Sequence, residues 1–503
     1  MKMTNTNQKT NPSDNPINKP INKPVKKQKK VNANKLTYQI ALFFSGIFVV
    51  MIVYLFYFEY KDADEVINST YNKRQSILAE QTVRGQIKAD NGEILAQTSV
   101  DESGNETRNY PYGNLFAHAV GYNCNGKAGV ELYYNYKLLT SNSGLLELVI
   151  NDLKGTKDTG DNVVTTLNVG LQKAASNSLG GYNGAAIAMD PETGKILCMV
   201  SKPDFDPNSI EYDWDYIVGN SENTNLLNRA TNGVYPPGST FKILTLLEYL
   251  HENPEAYKNY TFDCQGFLSV DDPTIKGGVS TIRCCNGAVH GLSILEDSFA
   301  YSCNSSFANI GLGLDKARFK KLYNSLLFNS KLPYNMTYSK SSCKLDEKSS
   351  VFETMQTCIG QGQTQVTPLH MCLIASAIAN EGVLMKPYMV DHVENYEGRV
   401  VKTYDPEKYG QLLSKKDSEV LSHFMKTVVD YGTATQLQSS AYTAYGKTGT
   451  AQFDETVDNS HSLFVGYADN GTKKLAVCIV LEDMPSGGSA VPVARNIFDN
   501  YFG

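Results

Sequence analysis

The sequence has no basic excess. Its 46 lysines and arginines stand against 52 aspartates and glutamates, a net charge of −6. A nucleic-acid binder carries a basic domain, so that class is set aside. Metal-ligand patterns are also missing: there is no CxxC pair and no HExxH among the 503 residues. No metal-ligating set and no cofactor are expected. Charge is absent altogether from Leu36 to Phe58, LTYQIALFFSGIFVVMIVYLFYF. A soluble helix of that length rarely lacks all charge, which disfavours a buried core helix.

Those 23 residues, at about 1.5 Å each, span a hydrocarbon core of about 30 Å. A cleaved leader has a shorter apolar region and a small-x-small exit. Here the exit is Tyr57-Phe58-Glu59-Tyr60, which reads as an uncleaved anchor. Lys26, Lys27, Lys29, Lys30 and Lys35 precede the span, so the N-terminus is expected in the cytoplasm and everything after Glu59 outside. Residues 1–35 hold nine lysines and one acid, Asp14, with Ile-Asn-Lys-Pro repeated at 17–20 and 21–24. Such a tail buries no core and is read as disordered, drawn to anionic lipid. The rest of the chain is acidic. With 41% hydrophobic residues it is far from disordered, and its length allows roughly three folding units.

Seven of the ten cysteines are scattered singly, unlike a disulfide framework. Cys264, Cys284 and Cys285 lie near one another. A disulfide from Cys264 to Cys284 or Cys285 is one reading, and buried or loop thiols are the other. Zinc is disfavoured by the missing CxxC.

The body reads in two parts, with a boundary near 160. Residues 59–160 carry short apolar runs around Asn91-Gly92, a hairpin signal, and are read as irregular and mostly β. From 161 to 503 the pattern is α/β. Val163–Leu167, Ala185–Met189 and Lys195–Ser201 read as strands and 168–180 as a helix. Helical segments dominate 285–330 and 366–380. Strands return at 443–451, 461–468 and 474–482, and a final helix covers about 490–502. Strands at both ends with helices between point to one sheet that unites the termini.

The chemistry lies in three short stretches. Tyr235-Pro236-Pro237-Gly238-Ser239-Thr240-Phe241-Lys242 ends a loop and opens an apolar helix. Ser239 sits where peptide dipoles favour negative charge. Lys242, three residues on, shares its face. A serine hydroxyl needs an adjacent base, and a lysine serves if burial or a nearby cation lowers its pKa. SxxK alone is weak, and Ser341 to Lys344 also matches, without an apolar run behind it. Ser302-Cys303-Asn304 follows a helical stretch, and Lys447-Thr448-Gly449-Thr450 lies on a predicted strand. The three in this order form the serine–lysine, serine–asparagine and lysine–threonine–glycine set of β-lactamases and penicillin-binding proteins.

From about residue 72 onward the chain resembles the class B penicillin-binding proteins, D,D-transpeptidases of peptidoglycan synthesis. Arg84-Gly85, Gly129-Val130-Glu131, Leu227-Asn228-Arg229-Ala230, His290-Gly291, Gly360-Gln361-Gly362, Thr367-Pro368-Leu369, Gly432-Thr433-Ala434 and Gly446 to Gln452 carry the likeness together with the three motifs. The subgroup it most resembles is penicillin-binding protein A. Two departures stand out. In RGQIKADNG, Ala89 and Asp90 replace the usual Asp and Arg, and Leu463 stands where the family often has Trp.

The resemblance implies a transpeptidase domain with a central antiparallel sheet flanked by helices, a pedestal before it and one transmembrane helix. It implies roles as well. Ser239 attacks D-Ala–D-Ala of a stem peptide, and Lys242 takes its proton. Lys447 adds positive charge that lowers the pKa of Lys242 and steers the carboxylate. Ser302 relays a proton to the leaving nitrogen, and Asn304 holds the substrate amide and Lys242. Thr448 and Thr450 bind the terminal carboxylate, while Gly449 lets the strand approach. The backbone N–H groups of Ser239 and Thr450 form an oxyanion hole. An amine of a second stem peptide resolves the acyl-enzyme, and β-lactams acylate Ser239. His290 and His461 are read as structural, and Gln361 as shaping a loop near the site. Residues 60–160 are too few for a glycosyltransferase, so a polytopic partner of the shape, elongation, division and sporulation (SEDS) group is expected. The alternatives are a β-lactamase or β-lactam sensor on the same fold, and a non-catalytic scaffold. No ExxLN follows the second motif, and no extra spans or protease motif are visible.

Overall fold

The strand Gly184–Met189 (GAAIAM) is buried at every residue, on both of its faces. Only a sheet covered on both sides accommodates such a strand. In the computed structural model, which describes residues 33–61, 74–273, 275–451, 459–485 and 488–503, it lies inside a five-stranded antiparallel sheet. The spatial order is Thr443–Ala451, Ser460–Asp469, Lys474–Met484, Gly184–Met189, Ile196–Lys202. Chain-distant strands are thus neighbours, and the sheet joins the two ends of the 161–503 segment as expected.

Helix Pro368–Ala379 packs on this sheet with all twelve residues buried. Thr367 caps it by accepting from the His370 N–H, and Pro368 takes the first turn, where no N–H is needed. Helices Val169–Leu179 and Val491–Phe502 pack on each other and on the sheet as well. Helix Lys415–Asp430 opens with a capping box of Ser414 and Asp417 and lies against the strand Thr443–Ala451.

A second, six-stranded sheet runs Val400–Thr403, Val390–Glu394, Asn162–Thr165, Ile87–Lys88, Ile94–Val100, Glu106–Asn109. The hairpin expected at Asn91-Gly92 is there, with Gly92 at φ +85° and Ile87 paired with Ala96. Asn162–Thr165 pairs with Ile87–Lys88 on one side and with Val390–Glu394 on the other. The boundary expected near 160 therefore falls just ahead of a strand that both parts share. Among the described residues of 74–160, helix Arg74–Gln81 is followed by strands as far as Glu106–Asn109, and short helices follow those. Those helices include Gly129–Tyr133, Asn135–Leu138 and Leu145–Lys154. Local alternation hid the first two, because each is short, whereas Leu145–Lys154 is ten residues long with an amphipathic pattern of its own. Glu131, from the first of them, is fully buried between Arg84 and Arg108, with Arg108 Nε donating to its Oε1 at 2.8 Å.

Helical segments dominate 285–330 as expected, in Leu295–Ala300, Asn304–Gly313 and Lys316–Ser325, although Gly291–Ile294 is a strand. The second SxxK match also resolves. Ser341 to Lys344 lies in a loop, where the buried Ser341 Oγ accepts from the Thr367 N–H at 3.1 Å and Lys344 is exposed.

The N-terminal unit, residues 1–66, is described by one helix, Ala33–Lys61. Its apolar side chains are exposed along its length, and it is long and apolar enough to cross a membrane. The basic tail and the lysines at 26–30 lie outside the described residues, as does Gln452.

Candidate active site

Ser239 lies in a short 3-10 turn, Gly238–Phe241, that runs directly into helix Lys242–Glu252. The turn is forced by close packing. Gly238 has φ +52°, its N–H donates to the Gly360 carbonyl at 2.8 Å, and a Cβ on it would lie 2.5 Å from the Thr450 oxygen. Gly360 is similarly tight, since a Cβ there would lie 1.9 Å from the Gly238 oxygen. Only glycine tolerates both the backbone angle and the contact. Ser239 is held half-buried, while Lys242 is fully buried on the first turn of the helix.

The second motif arrives between two helices, Leu295–Ala300 and Asn304–Gly313. Ser302 has φ +61°, a left-handed conformation unusual for a residue with a Cβ. This reversal turns both its carbonyl and its hydroxyl toward Lys242. Lys242 Nζ donates to the Ser302 carbonyl at 2.7 Å, to Ser302 Oγ at 3.2 Å and to Asn304 Oδ1 at 2.7 Å. Asn304 Nδ2 donates in turn to the Arg283 carbonyl at 3.0 Å, which fixes the amide orientation.

The third motif is the outer strand of the five-stranded sheet, Thr443–Ala451. One of its edges pairs with Ser460–Asp469, leaving alternate backbone groups of the other edge free of that sheet. A Cβ on Gly449 would meet the Pro237 carbonyl at 2.9 Å and Thr240 Cγ2 at 2.9 Å. The absent side chain is what lets this strand lie against the serine turn. Thr448 Oγ1 shares a 2.6 Å hydrogen bond with Thr433 Oγ1, and Gln361 Nε2 donates to the Thr450 carbonyl at 3.4 Å. Thr450 is exposed, and Leu463, opposite Gly449, is buried with Tyr235, Ala451 and Val480. His461 packs edge-on against Tyr235.

Two lysines are thus fully buried, and among the described residues neither forms a salt bridge. Burial pushes Lys242 down to about 7. Lys447 is also held well below the ordinary lysine value, by burial first and by the charge of Lys242 second. The expectation that Lys447 supplies the shift of Lys242 is therefore corrected: desolvation is its main cause. Ring faces partly replace water. Lys242 Nζ lies 5.4 Å from the Phe307 centroid, and Lys447 Nζ lies 5.5 Å from that of Phe299. Sequence reasoning passed over both rings. Their signal was spacing, since Phe299 stands three residues before Ser302 and Phe307 three after Asn304.

The cysteines are free thiols. Cys284, not the exposed Cys285, lies beside Cys264, with their sulfurs 3.6 Å apart.

Known proteins share this sequence pattern and fold. The penicillin binding protein transpeptidase domain model matches residues 184–499, and the penicillin binding protein A dimerisation domain model matches residues 84–163. The peptidoglycan D,D-transpeptidase MrdA of Acinetobacter baumannii is 27% identical, over 78% of this chain and 66% of its own length. The solved D,D-transpeptidase domain of a peptidoglycan glycosyltransferase from Eggerthella lenta is 30% identical. It superposes with a TM-score of 0.73 over 84% of this chain and 98% of that one. Penicillin-binding protein A of M. tuberculosis, solved as a ceftriaxone acyl-enzyme, is 25% identical, with a TM-score of 0.76 over 85% of this chain and all of that one. The chain is a class B member of the penicillin-binding protein transpeptidase family.

Proposed function

We propose that this chain is a membrane-anchored peptidoglycan D,D-transpeptidase that works through a serine acyl-enzyme. The observation that carries the reading is the buried Lys242, held by Ser302 and Asn304 with no acid as salt-bridge partner among the described residues. A lysine kept near neutrality in this way is a base at physiological pH. The names of the relatives point to the same reaction and to acylation by β-lactams.

Ser239 Oγ attacks the carbonyl carbon between the two D-Ala residues of a stem peptide and gives its proton to Lys242. The resulting oxyanion faces the N–H groups of Ser239 and Thr450. Loss of one such donor typically lowers the rate about 10²–10³-fold. Ser302 passes the proton to the departing D-Ala nitrogen. Lys447 steers the terminal carboxylate, Thr448 and Thr450 bind it, and Gly449 keeps the strand close. The donor peptide lies along the open edge of Thr443–Ala451 as an added strand. An amine of a second stem peptide then attacks the ester carbonyl and releases Ser239, leaving a cross-link.

The five lysines ahead of the apolar helix orient the catalytic segment outside the cell. Glycan polymerisation falls to a SEDS-type glycosyltransferase partner. Residues 59–160 form the pedestal and 161–503 the transpeptidase domain.

Fluorescent penicillin added to the full chain in detergent tests the reading. Wild type is expected to hold a stable label and Ser239→Ala none. Rapid turnover of the drug would indicate a β-lactamase instead. Normal cell-wall growth supported by Ser239→Ala would indicate a scaffold.

A further inference from the structure

The segment ahead of residue 160 gathers more positive charge than it balances. Arg84, Arg108 and Lys127 share one acid, Glu131. That carboxylate is already taken: it accepts from Arg84 Nε at 2.6 Å and from Arg108 Nε at 2.8 Å. Among the described residues Lys127 Nζ has no hydrogen bond and no ion pair, and the buried Arg108 Nη2 has no partner either. Three cations against one carboxylate leave two positive charges unmatched. Lys127 feels this directly. Burial lowers its pKa first, and the charge of Arg84 lowers it further. Its loop nonetheless holds it there. Lys127 has φ +61°, its N–H donates to the Cys124 carbonyl at 2.9 Å, and the Ala128 N–H donates to the Tyr122 carbonyl at 3.3 Å. A left-handed backbone is unfavourable for a residue with a Cβ, so the loop imposes this position.

Arg84 and Lys127 both border a cavity of about 520 Å³. That volume is in the range of sites for small organic ligands. The rest of the wall is rich in hydrogen-bonding groups, among them Asn123, Asn135 and, from helix Arg74–Gln81, Ser76. Asn135 Oδ1 accepts from Arg84, and its Nδ2 donates to Gln75 Oε1 at 2.8 Å, which fixes this side of the wall. One acid, Glu106, also lines the cavity, but its Oε1 lies 2.5 Å from Lys157 Nζ. That pair is neutral, so the excess of two charges stands. A guanidinium has five N–H groups. Arg84 spends four of them, on Glu131 Oε2 twice, on the Glu131 carbonyl and on Asn135, which leaves one on Nη1.

A phosphate group suits this wall better than a carboxylate. It carries up to two negative charges and offers several acceptor oxygens around one centre, so a single group reaches a guanidinium, an ammonium and an amide together. A water takes about 30 Å³, so a bare phosphate fills only a small part of the cavity. We propose that this cavity binds a phosphate ester, with its phosphate between Arg84 and Lys127 and the rest of a polar headgroup along Ser76 and Asn123. The source is a phospholipid headgroup or a soluble phosphate ester, which present the same chemistry. None of the residues assigned to the reaction lines this cavity. Because its wall joins helix Arg74–Gln81 to the loop that carries Lys127, a bound ligand ties the two together.

The test is isothermal titration of the full chain, stripped of lipid in a nonionic detergent. The probes are inorganic phosphate, glycerol phosphate and dihexanoyl phosphatidylglycerol, with dihexanoylglycerol as the phosphate-free control. One site per chain is expected, with no binding of the control. Glycerol phosphate binding as tightly as the lipid would assign a soluble ester, and binding of the lipid alone would assign a membrane headgroup. Lys127→Gln removes a charged hydrogen bond and should weaken binding about 10–100-fold. Lys127→Arg, which keeps the charge, should bind nearly as wild type does. Glu106→Gln frees Lys157 beside the cavity and should tighten binding, which gives a second reading should Lys127→Gln fail to fold. The nine lysines of the basic tail are common to every variant, so differences between variants report on the cavity. All three variants should keep the penicillin label of the wild type, so this inference and the acyl-enzyme reading fail separately. No binding of any phosphate probe would overturn the proposal. So would equal affinity in wild type and a folded Lys127→Gln, or equal binding of the phosphate-free control.

Discussion

The proposed role of Lys242 as a base rests on where it stands, not on what surrounds it in sequence. Among the described residues its ammonium has oxygen acceptors but no carboxylate, and burial moves it to about 7. The neutral form is the one that accepts a proton, so the acylation rate should rise with pH through about 7 and level off above it. Stopped-flow acylation with a chromogenic β-lactam measures this, and a flat profile across neutrality would remove Lys242 as the base. Lys242→Arg, which stays protonated, should lose acylation at every pH. At this scale the sequence was informative where chemistry dictates residue type: Ser239, Lys242, Ser302, Asn304 and Lys447 can be named because few substitutes do the same work. It was silent on Phe299 and Phe307, two phenylalanines among twenty. Their role depends on a face presented across helices that lie far from Lys447 along the chain.

Elements bring these residues together mainly through backbone. The serine turn, the Gly360 loop and the strand Thr443–Ala451 meet at Gly238, Gly360 and Gly449, where an added Cβ would in each case strike a backbone carbonyl. Gly449→Ala should push the strand away from Pro237 and Thr240. Misplacement of this order lowers the rate about 10²-fold, with far-UV circular dichroism unchanged. An acylation rate near that of wild type would show that the strand can shift without consequence. The long strands of the last sixty residues and helix Pro368–Ala379 were legible from their apolar runs and caps. The helices within 113–154 were not. Most are too short to show a period, although Leu145–Lys154 does carry one, and the buried Arg84–Glu131–Arg108 cluster that fixes Gly129–Tyr133 joins residues far apart in sequence.

For the whole catalytic unit, that cluster and the shared sheet predict joint behaviour. Burial alone would raise the Glu131 carboxyl, but Arg108 and Arg84 hold it below its ordinary value. Its stabilising contribution is therefore complete above the unfolded carboxylate pKa of about 4 and is lost as pH falls through the lower folded value. Glu131→Gln leaves two guanidiniums buried without their counter-charge. It should destabilise by about 3–5 kcal/mol in denaturant titration; a change under about 1 kcal/mol would mean the arginines find water. Because Asn162–Thr165 pairs with strands on both sides of residue 160, residues 161–503 expressed alone should melt well below the full chain. Equal melting temperatures would show two independent domains.

The glycine seams have a consequence for how this protein can change over generations. A site framed by main chain meeting main chain ties inheritance to very few letters. Gly238, Gly360 and Gly449 have almost no permitted neighbours in sequence space. A side chain beside them, Leu463 for instance, can be exchanged while the seam stays closed. A saturation library selected for growth should show three narrow columns of intolerance rising from permissive ground, and resistance to an acylating drug would have to arise in that ground rather than in the frame.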